Sequence, residues 1–294
     1  MKTTRCKGAG IIKKKSKDRL LREARLIPGY IFVSLWVIAV FVIIGWIILA
    51  SLSTTREIFK GELIASGLQW GNYKKALFSN KLIVNLMNSA IYTAPSCALI
   101  ILVCAPAAYC MSRFSFLGNR SFQKLILTGL SIPSVMIIMP LCSVVGALNM
   151  SGSRFTMIFL YTATSVPYTT YFLMTFFKSI SNTYVEAATI DGCGQVRCFW
   201  QIMFPLAQPA LITVTIFNFI TIWNEYFLAL VFANKTELRS LGVGLYQIVY
   251  SMMNTGDWSG LFAAVVITFV PTVVIYIFLA DKIISGVTAG GVKG

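Results

Sequence analysis

The sequence predicts an all-α, polytopic membrane protein with six transmembrane helices, and three observations predict it. Of 294 residues, 57% are hydrophobic and 12% charged, and the mean hydropathy is +0.76, a balance wrong for a water-soluble chain. The few charges are bunched, leaving charge-free runs at 26–55, 82–112, 125–153, 155–177, 198–224 and 258–280. Each is long enough for the roughly 20 apolar residues that cross a hydrocarbon core about 30 Å thick. If all six cross, seventeen of the 25 Lys and Arg fall on the side that holds both termini, which makes both termini cytoplasmic by the positive-inside rule.

Residues 1–27 are read as a basic cytoplasmic tail, because ten Lys and Arg precede Ile27. The apolar stretch after Lys13-Lys14-Lys15-Ser16-Lys17 outruns the roughly 7 to 15 residues of a signal-peptide core, so it stays as the first span. The basic run reads as a topology determinant or lipid-headgroup contact, and no nucleic-acid partner is expected. The first span and an extracytoplasmic loop take 28–80, five further spans take 81–281, and a cytoplasmic tail takes 282–294. A seventh charge-free run, 240–256, carries Gly242, Gly244, Gln247, Ser251, Asn254 and Thr255, which favours an interfacial helix over a crossing one. Pro95, Pro106, Pro133, Pro140, Pro167 and Pro271 fall within spans, so kinked helices are expected.

Zero histidines exclude imidazole metal sites, Ser-His triads and histidine proton shuttles. No metal site and no catalytic residue is expected. Seven cysteines is an odd number, and Cys97, Cys104, Cys110 and Cys142 lie in apolar runs as small hydrophobes, so no disulfide framework is read.

The informative stretch is the loop after the fourth run. Thr183 followed by Glu186 has capping-box spacing and predicts a helix from Tyr184. Asp191-Gly192 ends it, since glycine accepts the left-handed turn. A second helix is expected from about 194 to 203, with Pro205 near the entry to the fifth span and Pro209 in its first turn. Val185, Ala188, Ile190, Val196, Phe199 and Trp200 have no span of their own to cover them. Two covers stay open: a groove on another protein, or the chain's own bundle at the membrane surface.

Glu186-Ala187-Ala188, then Gly192, then Ile202 and Pro205 resemble the EAA loop of ABC-importer permeases, the element that docks into the nucleotide-binding subunit. Trp70-Gly71-Asn72-Tyr73, Asn88-Ser89, Trp223-Asn224-Glu225-Tyr226-Phe227 and the closing 288–294 segment look like the carbohydrate branch, and the tail resembles the second, smaller permease of maltose-type and multiple-sugar-type systems. The likeness runs from about Arg19 to the last residue. Two positions depart from the pattern: Cys193 stands where Ala is usual, and Ser181-Asn182 replace a frequent proline. Cys193 and Cys198 read as structural thiols rather than a redox pair.

The resemblance implies a type I importer fold with an ABC transmembrane core over 81–281 and a coupling loop over 182–205. It names Glu186, Ala187, Ala188, Asp191, Gly192, Phe199, Trp200, Ile202 and Pro205 as the ATPase-coupling residues. It implies a bacterial inner-membrane protein that imports sugars or oligosaccharides with a second permease, two ATP-binding subunits and an extracytoplasmic solute-binding protein. The chain has no G-x-x-x-x-G-K-[ST] loop, so no cofactor is expected on it, and ATP with magnesium belongs to the partner ATPase. Thr288, Gly290, Gly291, Lys293 and Gly294 are the candidate ATPase-contacting tail.

Glu225 is read as the only acid within a span, sixteen residues past Pro209, or roughly 24 Å along a helix. With Trp223 and Asn224 it is a candidate for the translocation path, the rival reading being a gate or a hydrogen bond to the partner permease. Glycerol phosphate is the nearest alternative cargo. A stand-alone secondary transporter is disfavoured, since ion coupling normally uses paired intramembrane charges.

Overall fold

The computed structural model describes residues 5–291, with side chains from 26 to 278. Every regular element among the described residues is helical, as the apolar runs predict. The chain divides into two compact units, 1–69 and 70–294.

In the first unit, α1 (Arg5–Ser51) is one long helix with Pro28 inside it. Its apolar side chains point outward on all sides, Phe32, Trp36 and Phe41 among them, as a span facing lipid does. The segment after it is folded. Thr54 and Glu57 form a capping box at the start of α2 (Thr55–Lys60), and Gly61 closes that helix in the left-handed conformation. Glu57 Oε1 also accepts from the Ser66 amide at 2.5 Å, and the Gln69 amide donates to the Leu52 carbonyl at 2.8 Å.

The second unit opens with α3 (Gly71–Lys74), which runs into a π-turn over Lys75–Ser79. Its frame is α4 (Leu82–Arg113) packed along α7 (Arg154–Ser179). Cys104, Ala105 and Ala108 let α7 come close, and Met157, Leu160, Tyr161, Leu173 and Phe177 fill the shared core. Between them, α5 (Asn119–Ser131) leans on α7, and α6 (Ile138–Ala147) follows a break. The segment expected to form the coupling loop comprises α8 (Thr183–Ile190), α9 (Gln195–Cys198), a π-turn over Phe199–Met203 and α10 (Phe204–Leu206). Next, α11 (Gln208–Trp223) packs on α4 and α14, and α12 (Phe227–Phe232) follows a second break. Finally, α13 (Leu241–Thr255) bridges α4 and α14 (Trp258–Gly291).

Among the described residues three helices are long and apolar enough to cross a membrane: 26–51, 82–113 and 258–278. A fourth follows if the pair Gln195–Leu206 and Gln208–Trp223, bent by 73°, counts as one. The six expected spans therefore do not appear as six continuous helices. The run 125–153 is split, because Pro133 has no N–H to give and pushes Ile132 to extended backbone (φ −86°, ψ 120°). The run 198–224 is bent at Ala207, between Pro205 and Pro209. At 26 residues α7 is long enough, yet its threonines leave it less apolar than the other three. Several of them, such as Thr169 and Thr170, are fully buried against neighbouring helices.

Buried polar groups lace one end of this unit. The Asn88 amide donates to the carbonyls of Glu237 (2.7 Å) and Arg239 (3.1 Å), and the Tyr92 hydroxyl to Leu238 (2.6 Å). Ser89 accepts from the Leu241 amide at 2.8 Å. Asp257 caps α14 through the Gly260 amide and pairs with Lys75 at 2.7 Å.

Candidate functional site

Two helices and a glycine turn make the coupling loop. Gly192 sits at φ 75°, where an L side chain is strained, so the turn is the one the sequence predicts. The expected capping box is absent. Asn182 is the N-cap with helical backbone, and the Thr183 hydroxyl lies 2.9 Å from Ser181 Oγ instead of bonding an amide inside the helix. The cause is long-range: the Arg113 guanidinium donates to Asn182 Oδ1, which starts the helix one residue earlier. Glu186 makes no hydrogen bond or ion pair through its side chain among the described residues, nor does Asp191, and both are exposed.

Arg113 does more than hold Asn182. It also donates to the carbonyls of Phe177 (2.7 Å), which takes the Ile180 amide as well, and Ile180 (2.5 Å) at the end of α7. A single side chain at the end of α4 thereby ties α4, α7 and α8 together. Sequence reasoning counted Arg113 only as a topology charge. Its position at the last residue of an apolar run was the available signal, since a cation there is placed to meet helix-terminal carbonyls.

The apolar side chains of the loop divide between the two covers left open above. Phe199 is buried, with its ring centroid 5.1 Å from Tyr109, 6.3 Å from Phe177 and 5.9 Å from Phe204. Ala188 and Cys198 are buried with it, and Val185 and Ile202 pack against that core. Ile190 (86% exposed), Val196 (74%) and Trp200 (44%) stay on the outside. Ala187 and Pro205 are exposed as well. The aromatic seat fixes the second helix to the bundle and leaves three apolar side chains exposed on a loop that also carries the exposed carboxylates of Glu186 and Asp191.

The candidate path residues separate. Glu225 is not within a helix: α11 ends at Trp223, and Glu225 lies in the break before α12. Its carboxylate caps α12, accepting from the amides of Leu228 (2.6 Å) and Ala229 (3.2 Å) and from the Tyr161 hydroxyl (3.1 Å). It lines a cleft of about 510 Å³ with Ser134, Ser165, Tyr168, Phe217 and Thr221. Trp223 and Asn224 line a different hollow of about 320 Å³ with Tyr226 and Tyr246. Trp223 stacks on Phe219 at 5.4 Å, and Asn224 donates to the Ile220 carbonyl of its own helix.

Of the candidate tail, Lys293 and Gly294 lie outside the described residues, as does the side chain of Thr288; Gly290 and Gly291 fall on the last turn of α14. The side chains of the basic leading tail are likewise outside them. Cys193 and Cys198 are both free thiols.

Residues 98–288 match the family of binding-protein-dependent transport system inner membrane components. The chain is 32% identical over 257 residues to the diacetylchitobiose uptake system permease protein of Streptomyces coelicolor, covering 87% of this chain and 85% of that one. It is 33% identical over 258 residues to the sulfoquinovosyl glycerol transport system permease protein of Agrobacterium fabrum, covering 85% and 87%. To the trehalose/maltose transport system permease protein of Thermococcus litoralis it is 28% identical, covering 95% and 99%. Its fold is that of a chain in the crystal structure of a bacterial ABC transporter involved in the import of the acidic polysaccharide alginate, with a TM-score of 0.77 at 22% identity, covering 90% of this chain and 97% of that one. With more than half its length in the match and relatives of that identity along most of the rest, the chain belongs to the binding-protein-dependent transport system inner membrane components, the permeases of ABC importers.

Proposed function

We propose that the chain is one of two permease subunits of an ATP-driven bacterial importer for sugars or oligosaccharides, forming half of the translocation path and taking its energy from a separate ATPase. The observation that carries this is the coupling loop. Ile190, Val196 and Trp200 stand exposed on the same loop as the exposed carboxylates of Glu186 and Asp191. That surface suits a partner groove with an apolar floor and a basic rim. The rigid seat behind it lets a push on the loop reach α4 and α7 through Arg113.

In this reading six crossings come from α1, α4, the α5–α6 pair, α7, the bent α9–α12 segment and α14. Both termini and the coupling loop face the cytoplasm, where the basic residues concentrate. A solute-binding protein delivers cargo from outside, and ATP with magnesium binds the partner subunits. Diacetylchitobiose, trehalose/maltose and sulfoquinovosyl glycerol are among the cargoes named for relatives, and all contain a sugar, which supports a sugar. The 510 Å³ cleft has no Lys or Arg in its lining, which favours a neutral sugar over glycerol phosphate.

The test is uptake of labelled mono-, di- and trisaccharides and glycerol phosphate by cells with and without the gene, with ATP depletion as control. One sugar should lose ATP-dependent uptake. Loss confined to glycerol phosphate would overturn the sugar assignment, and gene-dependent uptake that survives ATP depletion would overturn the importer reading.

A further inference from the structure

The cleft in the second unit has two features that the coupling loop does not explain. First, both interruptions of the helices border it: Ser134 and Val135 come from the break between α5 and α6, and Glu225 from the break between α11 and α12. Inside a bilayer, irregular backbone is tolerated only where protein buries it or where it lines a water-filled cavity. Broken helices are also the usual way a transporter turns backbone and capping groups toward a solute. Two independent breaks converging on one cleft mark it as wetted space rather than a packing defect.

Second, its polar groups are left open in a particular pattern. The hydroxyls of Ser134, Ser165, Tyr168 and Thr221 have no hydrogen-bond partner among the described residues. Among the described residues of the lining, Glu225 is the only charged side chain. Three donors fix its carboxylate, so it cannot swing away from whatever enters. At about 510 Å³ the space is in the roughly 300–1,000 Å³ range of small-molecule sites.

We propose that this cleft is a solute-contacting stretch of the translocation path that accepts neutral polyhydroxylated solutes and turns away anions, with Glu225 as the selectivity-determining group. It rests on the importer reading. The free hydroxyls supply donors and acceptors in any order a sugar presents them. The fixed carboxylate accepts from sugar hydroxyls and repels a carboxylate, sulfonate or phosphate that comes within a Debye length, about 8 Å at physiological salt.

The experiment reads the charge preference of the cleft directly. Thr221→Cys is introduced into the full importer in native membranes. Labelling of that peptide is followed by mass spectrometry with a cationic, an anionic and a neutral methanethiosulfonate reagent, each rate divided by the reagent's rate with a small free thiol. The cationic reagent should react about tenfold faster than the anionic one. Adding Glu225→Gln, whose amide oxygen still accepts a capping bond, should bring the two rates together while the neutral reagent is unchanged. Raising salt should shrink the ratio in the parent and leave the Gln variant flat. Equal rates in the parent, or a ratio that survives Glu225→Gln, would overturn the proposal; so would no reaction with any reagent, since the cleft would then be sealed. The two readings fail separately. Normal sugar uptake with equal labelling rates sinks the charge filter alone, and an intact ratio without ATP-dependent uptake of any sugar sinks the importer reading alone.

Discussion

At Gly192 a Cβ would meet nothing within 4 Å, so space is not what the position selects; the φ of 75° is. A left-handed residue with a Cβ costs roughly 1–2 kcal/mol, least for asparagine and most for a β-branched side chain. Gly192→Asn is therefore expected to keep most uptake and Gly192→Val to lose most of it at equal membrane levels, measured as uptake normalised to immunoblot signal. Equal uptake by the two variants would reject the turn as the reason for glycine. Arg113 carries the other residue-scale expectation. Removing it strands the Ile180 carbonyl, at about 1–3 kcal/mol for a polar group left without its partner, takes one of two donors from the Phe177 carbonyl, and frees Asn182. Arg113→Ala should lower uptake several-fold at equal membrane levels. Arg113→Lys should recover only part, because one ammonium cannot fork to three acceptors spread over two segments. Gly192 was legible in the sequence because its requirement is local. The clamp was not, because its groups lie more than sixty residues apart, and the same clamp is why the capping-box spacing at Thr183 misled.

Among the elements, charge-free length alone was enough to find α1, α4 and α14, whose apolar stretches answer to lipid. It failed where an element answers to the protein interior. The threonines of α7 and the breaks at Pro133 and around Glu225 belong to the lining of the cleft or the core beside it, and a hydropathy count scores them as weakness. The folded segment between 52 and 69 gives an element-scale expectation. Hydrogen bonds from Ser66, then Thr54, hold the Glu57 carboxyl down to about 2, below the ordinary value of about 4.3. The folded pKa is the lower one, so the stabilisation is complete above the unfolded value and fades as pH falls through about 2. Pepsin cleavage within 52–69, wild type relative to Glu57→Gln, should show protection at pH 5 that disappears as pH approaches 2. Protection independent of pH would argue that the capping box contributes nothing there.

For the whole molecule, the family and the sugar-type relatives agree with a reading that 186–205 and the closing glycines had already suggested. What stayed out of reach was how many helices cross unbroken, since bends are set by prolines acting together with packing partners. The tail supplies the expectation at this scale. Deleting 288–294 should leave the chain in the membrane and ATP hydrolysis by the assembled importer running while uptake falls, measured as cargo moved per ATP consumed; an unchanged ratio would reject a role for the tail in coupling. The Arg113 clamp also bears on how the protein is made. A ribosome adding about 5–20 residues per second releases Arg113 well before its acceptors at 177, 180 and 182. Once residue 204 has been added, every partner in the clamp and the aromatic seat has been made, while all of α11 and α14 are still unsynthesised. The loop at 182–205 can thus set its shape on the nascent chain, and later helices are threaded against a finished module.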